Sequence, residues 1–143
     1  MSKAIIIYDT RSGNTRMMAE AIQEGMKESG VEVLLKRTAE ASADDLADID
    51  AVVLGSPTYH HDMISSMKTF LFAMEKVELK GKVGAAFGSY GWSGESVQMI
   101  SDTMKHIFGM DVMEPGLKLA GRLSGSSLER GKEFGKKIAD KIK

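Results

Sequence analysis

The sequence contains no cysteine. That absence removes thiol redox chemistry, cysteine-ligated iron–sulfur clusters, cysteine-rich zinc sites and a cysteine nucleophile. If the chain moves electrons, a bound organic cofactor must carry them. Proline is nearly as scarce, at two residues, and aromatic residues make up only 6%, with a single tryptophan. Neither sign of charge dominates, since 19 basic and 20 acidic residues give a formal net charge of -1. With no block of like charge, nothing on the chain has the electrostatic footprint of a nucleic-acid binder. No apolar run is long enough to span a bilayer, so no membrane role is expected. The opening Met-Ser-Lys-Ala leads straight into a strand pattern, which predicts a cytoplasmic protein without a secretory leader. What remains is 43% hydrophobic and 27% charged over 143 residues, the composition of one globular domain spanning 1–143.

Apolar runs and helical patterns alternate along the chain. Ala4–Tyr8 reads as a buried strand, and a helix over about Thr15–Ser29 carries Met18, Ile22 and Met26 on one face, with Gly30 as its stop. Val31–Leu35 alternates and predicts a strand nearer an edge, followed by a short helix capped at Ser42-Ala43-Asp44-Asp45. Asp50–Ser56 is apolar on both faces, as a central parallel strand must be. Met63, Met67, Phe70, Leu71 and Met74 form the core stripe of a third helix. Lys82–Gly88 is the fourth strand, and the next helix carries Val97, Ile100, Met104, Ile107 and Phe108. Asp111–Met113 and Leu117–Leu119 supply a fifth strand interrupted at Pro115-Gly116. A capping box at Ser126 and Glu129 opens the last helix, which buries Leu128, Phe134, Ile138 and Ile142. Five strands alternating with helices predict a doubly wound α/β parallel sheet of order 2-1-3-4-5, with helices on both faces. In that order the loops after strands one and three splay apart and open a crevice at the carboxyl edge.

The first of those loops is Thr10-Arg11-Ser12-Gly13-Asn14-Thr15. First-turn amides of a helix lack intrahelical partners and point outward with the positive end of the dipole, so a strand, a hydroxyl-rich turn and a helix start make an anion site. Thr10, Ser12 and Thr15 add hydroxyls, Gly13 permits a tight backbone and Asn14 tolerates a turn conformation. Neither a Walker loop nor three spaced glycines is present, so a terminal monophosphate fits better than a triphosphate or a dinucleotide. An ordinary capped strand-to-helix turn is the plainer alternative. Two further loops, Pro57–Asp62 and Ser89–Gly94, would wall the crevice, and they hold Tyr59, Tyr90 and Trp92, three of the nine aromatic residues. A flat conjugated ligand stacked between them would account for that placement. His60 and His61 are adjacent but lack third and fourth ligands, so no metal site is expected.

Thr10–Thr15, Gly55-Ser56-Pro57-Thr58-Tyr59 and Phe87–Gly94 together resemble the three flavin mononucleotide (FMN) loops of flavodoxins, and the resemblance covers essentially the whole chain. The variant it most resembles is the flavodoxin domain of the A-type diiron flavoproteins, which reduce oxygen or nitric oxide; the diiron part has no counterpart here. The resemblance implies a flavodoxin-like three-layer sandwich, with Thr10, Ser12, Gly13, Asn14 and Thr15 on the flavin phosphate and Arg11 as a further contact. It implies that Pro57, Thr58, Tyr59 and His60, with Ser89, Tyr90, Gly91, Trp92 and Gly94, line the isoalloxazine ring. The short interval from Gly109 to Gly121 matches short-chain flavodoxins. Many flavodoxins carry a glycine after strand three whose peptide turns toward the flavin; Pro57–Asp62 has none, which predicts weak stabilisation of the half-reduced flavin.

The implied function is electron carriage between redox enzymes, without a substrate-converting site of its own, by a monomer or weak dimer whose flavin edge docks transiently with redox partner proteins. Two rivals share the fold: an NAD(P)H:quinone reductase, and a detached flavodoxin component of a multi-subunit oxidase. A response-regulator receiver shares the strand order, but it needs an aspartate where this chain has Gly55-Ser56.

Overall fold

The structure, a computed structural model, describes residues 2–143. In chain order β1 (Lys3–Tyr8) leads to α1 (Asn14–Glu28), β2 (Glu32–Arg37) and β3 (Ala51–Gly55). A hairpin of β4 (Thr58–Tyr59) and β5 (Asp62–Met63) precedes α2 (Ser65–Ala73), after which come β6 (Val83–Tyr90), α3 (Glu95–Asp102), β7 (Asp111–Val112), β8 (Leu117–Ala120) and α4 (Gly125–Ile142). All pairings in the main sheet are parallel, in the order β2-β1-β3-β6 with β7 and β8 both on the outer edge of β6. β7 and β8 are the two halves of one strand, separated by Met113–Gly116, so the order is the expected 2-1-3-4-5.

Strand residues alternate between faces, and both faces are covered, so every residue of β3 and all but the first of β1 are buried. Ala4, Ile6, Tyr8, Ala51 and Val53 pack under α1 and α4. Ile5, Ile7, Val52 and Leu54 pack under α2 and α3. β2, with only Val33 buried, is the edge strand its alternating sequence predicts.

Four local expectations change. The short helix after β2 is two 3₁₀ turns, Thr38–Glu40 and Ala43–Leu46, the second capped at Ser42 as read. Met63 belongs to β5 rather than to the following helix, yet it is buried in the same cluster as Met67, Phe70 and Met74. The helix after β6 ends in a π turn, Thr103–Ile107, closed by Phe108 N–H donating to the Thr103 carbonyl at 3.3 Å. That extra residue per turn rotates the stripe, leaving Met104 buried and Ile107 67% exposed. At α4 the cap is Ser124 rather than Ser126, and the Leu128 amide closes the first turn on the Ser124 carbonyl at 3.0 Å. Among the described residues no helix is long and apolar enough to cross a membrane.

Candidate cofactor site at the sheet edge

At the carboxyl edge Tyr8 of β1 lies beside Gly55 of β3, and Gly55 beside Phe87 of β6. The loops after these strands, with the loop after β8, converge on one rim. In the first loop Gly13 N–H donates to Thr10 Oγ1 at 2.9 Å, curling the chain so that Gly13 takes φ +92° and caps α1. A Cβ at Gly13 would meet nothing within 4 Å, so the space in front of the turn is open. The amides of Asn14, Thr15 and Arg16 begin α1 without intrahelical acceptors, and none is bonded among the described residues. An open cradle rimmed by unpaired amides at a helix N-terminus fits a phosphate.

The residues expected to meet a phosphate differ in their placement. Ser12 and Arg11 are exposed at the loop tip, and Asn14 donates through Nδ2 to the Gly121 carbonyl at 3.4 Å. Thr15 is fully buried, and its hydroxyl shares a 2.8 Å hydrogen bond with Ser89 Oγ. Its side chain therefore ties α1 to the end of β6, and its amide is what faces the rim. Gly121, whose own amide donates to the Tyr90 carbonyl at 3.0 Å, brings a fourth loop that no motif announces.

The second loop is a two-residue hairpin. Tyr59 pairs with Asp62, and His60 and His61 at its tip take φ of 51° and 63°. Two left-handed residues are what a type I′ turn requires, and glycine or asparagine usually supplies them. Histidines there carry strain of roughly 1–3 kcal/mol each. The hairpin is braced from outside: His61 Nδ1 lies 2.6 Å from Glu95 Oε2 and 3.4 Å from Ser93 Oγ. The Ser93 hydroxyl, then His61 and the amide at the head of α3, hold the Glu95 carboxyl down at about 2. At the base, Thr58 Oγ1 donates to Ser96 Oγ at 2.7 Å, Ser96 Oγ donates to the Ser56 carbonyl at 3.1 Å, and the Ile64 amide donates to Ser56 Oγ at 2.9 Å. Pro57 is buried beneath this brace.

Between the hairpin and the third loop lies a cleft of about 240 Å³ lined by Thr58, His60, His61, Trp92 and Ser93. Trp92 is 91% exposed, the most exposed large apolar residue described. Tyr90 and Gly94 are half-buried, Gly91 is exposed, and Ser89 is buried against Thr15. The Arg11 guanidinium sits 4.7 Å from the centroid of the Tyr59 ring, a cation–π contact joining the phosphate loop to the aromatic wall. The amide cradle and the aromatic cleft are thus neighbours on one rim, an arrangement that a phosphate-tailed flat ligand would need.

Behind the cradle, Asp9 is the hub of a polar cluster absent from the motif reading. Its carboxylate accepts from Thr10 N–H (2.9 Å), Thr38 Oγ1 (3.0 Å) and Ser66 Oγ, and pairs with Arg37, which also reaches the Thr10 carbonyl. Burial works to raise its pKa, but Ser66, Arg37, Thr10 and Thr38 together bring it down to about 2. A carboxyl depressed on folding contributes stability that is complete above its unfolded value near 3.8 and is lost as pH falls through 2. Asp9→Asn should therefore flatten the stability profile between pH 4 and 2, followed by circular dichroism against urea at each pH; an unchanged slope there would remove the carboxylate from that role. Among the described residues no three His, Asp or Glu side chains are grouped to hold a metal ion.

The sequence and fold are similar to those of known proteins. A family model described as Flavodoxin matches residues 6–135. The type A flavoprotein fprA of Rhodobacter capsulatus is 36% identical over 143 residues, covering 96% of this chain and 33% of that protein. The nitric oxide reductase of Moorella thermoacetica is 34% identical over 145 residues, covering 99% of this chain and 36% of that protein. The chain thus spans about a third of the length of these curated relatives. A solved flavodoxin from the domain Archaea superposes with a TM-score of 0.94 at 38% identity, over 98% of both chains. A family match across most of the sequence and an end-to-end structural match lead to one conclusion: the chain belongs to the flavodoxin family.

Proposed function

We propose that residues 1–143 form one FMN-binding domain that carries electrons at low potential between redox proteins in the cytoplasm. The observation that carries this reading is the adjacency of the open amide cradle at Gly13–Arg16 to the cleft between Tyr59 and Trp92. The amides of Asn14, Thr15 and Arg16 would hold the phosphate, with Ser12 donating from the loop tip and Arg11 countering charge from beside Tyr59. Pro57–His60 and Ser89–Gly94 would enclose the ring, with Tyr59 and Trp92 as its apolar walls. FMN supplies one- and two-electron redox chemistry when bound.

The protein's own part is to exclude water from the ring faces while leaving one edge open to a docking partner. Exposed Trp92 marks that edge. The likeness to an archaeal flavodoxin, with a TM-score of 0.94, supports the carrier reading. Because Trp92 is the sole tryptophan, its emission reports the site directly. Adding FMN to flavin-free protein should quench Trp92 and the flavin together with a 1:1 end point, and the complex should not consume NADPH without an added reductase. Trp92 emission that ignores FMN would overturn the reading.

A further inference from the structure

On the helical layer beside the flavin rim, α2 presents a stripe that the carrier function leaves unexplained. Phe72, at 72%, and Ile107 are the most exposed large apolar residues after Trp92. Both border one groove of about 330 Å³, between α2 and the π turn, whose floor is made by Met63, Leu71 and Phe108. The π turn is what pushes Ile107 out to this edge. A bare aromatic and a bare aliphatic side chain flanking an apolar groove form a surface that excludes water only when something covers it.

The groove's rim indicates what covers it. Lys68, Phe72 and Glu75 follow one another at intervals of four and three along the exposed side of α2 and its last turn, which places them in a single row. Along the sequence Lys68 and Glu75 lie equally far from the point between Leu71 and Phe72. We infer that this groove is the contact through which a second copy of the chain docks, with the two α2 helices antiparallel about a two-fold axis at that point. In such an isologous contact a residue of one copy meets a different residue of its mate, and the same pair recurs on the other side of the axis. Phe72 of one copy then lies over the groove of the other, and Lys68 of each meets Glu75 of its mate twice over. Glu75 has no ion pair among the described residues, whereas Lys68 already pairs with Asp62 of its own hairpin and would bridge Asp62 to the second copy's Glu75. A partner whose contact surface carried one sign of charge would meet a like charge at one end of this row; a second copy does not. Phe72 lies about 10 Å along α2 from Ser65, so the association leaves Trp92 and the flavin edge free.

Sedimentation equilibrium on the full chain, FMN-loaded and flavin-free, tests the contact. The expected result is a monomer–dimer equilibrium in both forms, of roughly micromolar strength as a small contact implies. Phe72→Glu should weaken it at least about tenfold, and Ile107→Gln should weaken it in the same direction. Lys68→Glu and Glu75→Lys should each weaken it at least about fivefold alone, while a 1:1 mixture of the two regains association within about twofold of the parent, because the mixed pair restores both opposite-charge contacts. Since that recovery needs no new contact, a general loss of folding cannot imitate it. A single monomeric species at millimolar concentration, a dimer indifferent to Phe72→Glu, or a mixture no stronger than its components would each overturn the inference. The FMN titration is read separately, so failure here and failure of the cofactor reading are distinguishable.

Discussion

Riboflavin is expected to bind at least about 100-fold more weakly than FMN, and Gly13→Ala is expected to narrow that gap about 5- to 30-fold by weakening FMN alone. The two ligands share the ring and differ in the phosphate, so their difference measures the cradle and nothing else. Hydrogen bonds to a charged group contribute about 1.5–3 kcal/mol each, and 1.4 kcal/mol is a factor of ten. Two or three amide contacts to a dianion therefore exceed 100-fold even after dehydration of the phosphate. Gly13 holds φ +92° with open space around it, so alanine there meets no clash and isolates the backbone. A side chain in that region costs about 1–2 kcal/mol. The unliganded loop can relax to avoid this cost, but a loop fixed on phosphate cannot, and the cost then appears in binding, about 5- to 30-fold. Isothermal calorimetry with both ligands on both proteins makes a four-member cycle. Equal losses for riboflavin and FMN would mean that Gly13 shapes the whole rim rather than the phosphate seat, and equal affinities in the parent would remove the phosphate reading.

The layers and strand order could be read from the sequence because doubly apolar strands, such as Asp50–Ser56, have one stable environment, a parallel sheet covered on both faces. Even the break in the last strand was legible, since Pro115 cannot donate to a ladder. Ile107 was not. Its spacing from Ile100 and Met104 fits a 3.6 period, and only the π turn at Thr103 moves it outward. Tertiary context decides such a turn.

The site divides in the same way. Gly13, Asn14 and the aromatics could be found because their residue types are uncommon in that pattern at strand ends. Thr15 illustrates the limit: a threonine in a phosphate loop reads as a hydroxyl donor, yet its Oγ1 is turned inward to Ser89, a partner 74 residues away. Asp9, Arg37, Ser66 and Glu95 act across separations of 28 to 57 residues, and no local spacing marks them. The His60-His61 tip was misleading in another sense, because a motif search looks for glycine where left-handed backbone is needed, and here two histidines held by β4 and β5 adopt it.

Large losses of stability from a single methyl group should come at Gly135 and Gly25. A Cβ at Gly135 would lie 2.2 Å from the Ile22 carbonyl oxygen, and one at Gly25 would lie 2.1 Å from that of Lys132. Both obstacles are backbone, across the face where α1 and α4 pack together, and neither can rotate away as a side chain would. The helices must separate, which loosens the packing of Met18, Ile22, Phe134 and Ile138 beneath them. Overpacking of this kind costs about 1–3 kcal/mol and occasionally more, against which alanine regains at most about 1 kcal/mol of helix propensity. Gly135→Ala and Gly25→Ala should each lose about 2 kcal/mol in urea unfolding of the flavin-free chain, a sizeable part of a total near 5–15 kcal/mol. The double variant should lose less than the sum, since a gap opened for one methyl accommodates the other. Gly125→Ala, where nothing lies within 4 Å at the start of α4, should be neutral or stabilising. Ile22 lies about 12 Å along α1 from Asn14, so FMN affinity should be nearly unchanged in all three, separating the helix seam from the phosphate seat. If Gly135→Ala instead matched Gly125→Ala in stability, the close approach of α1 and α4 would not be a determinant of this fold.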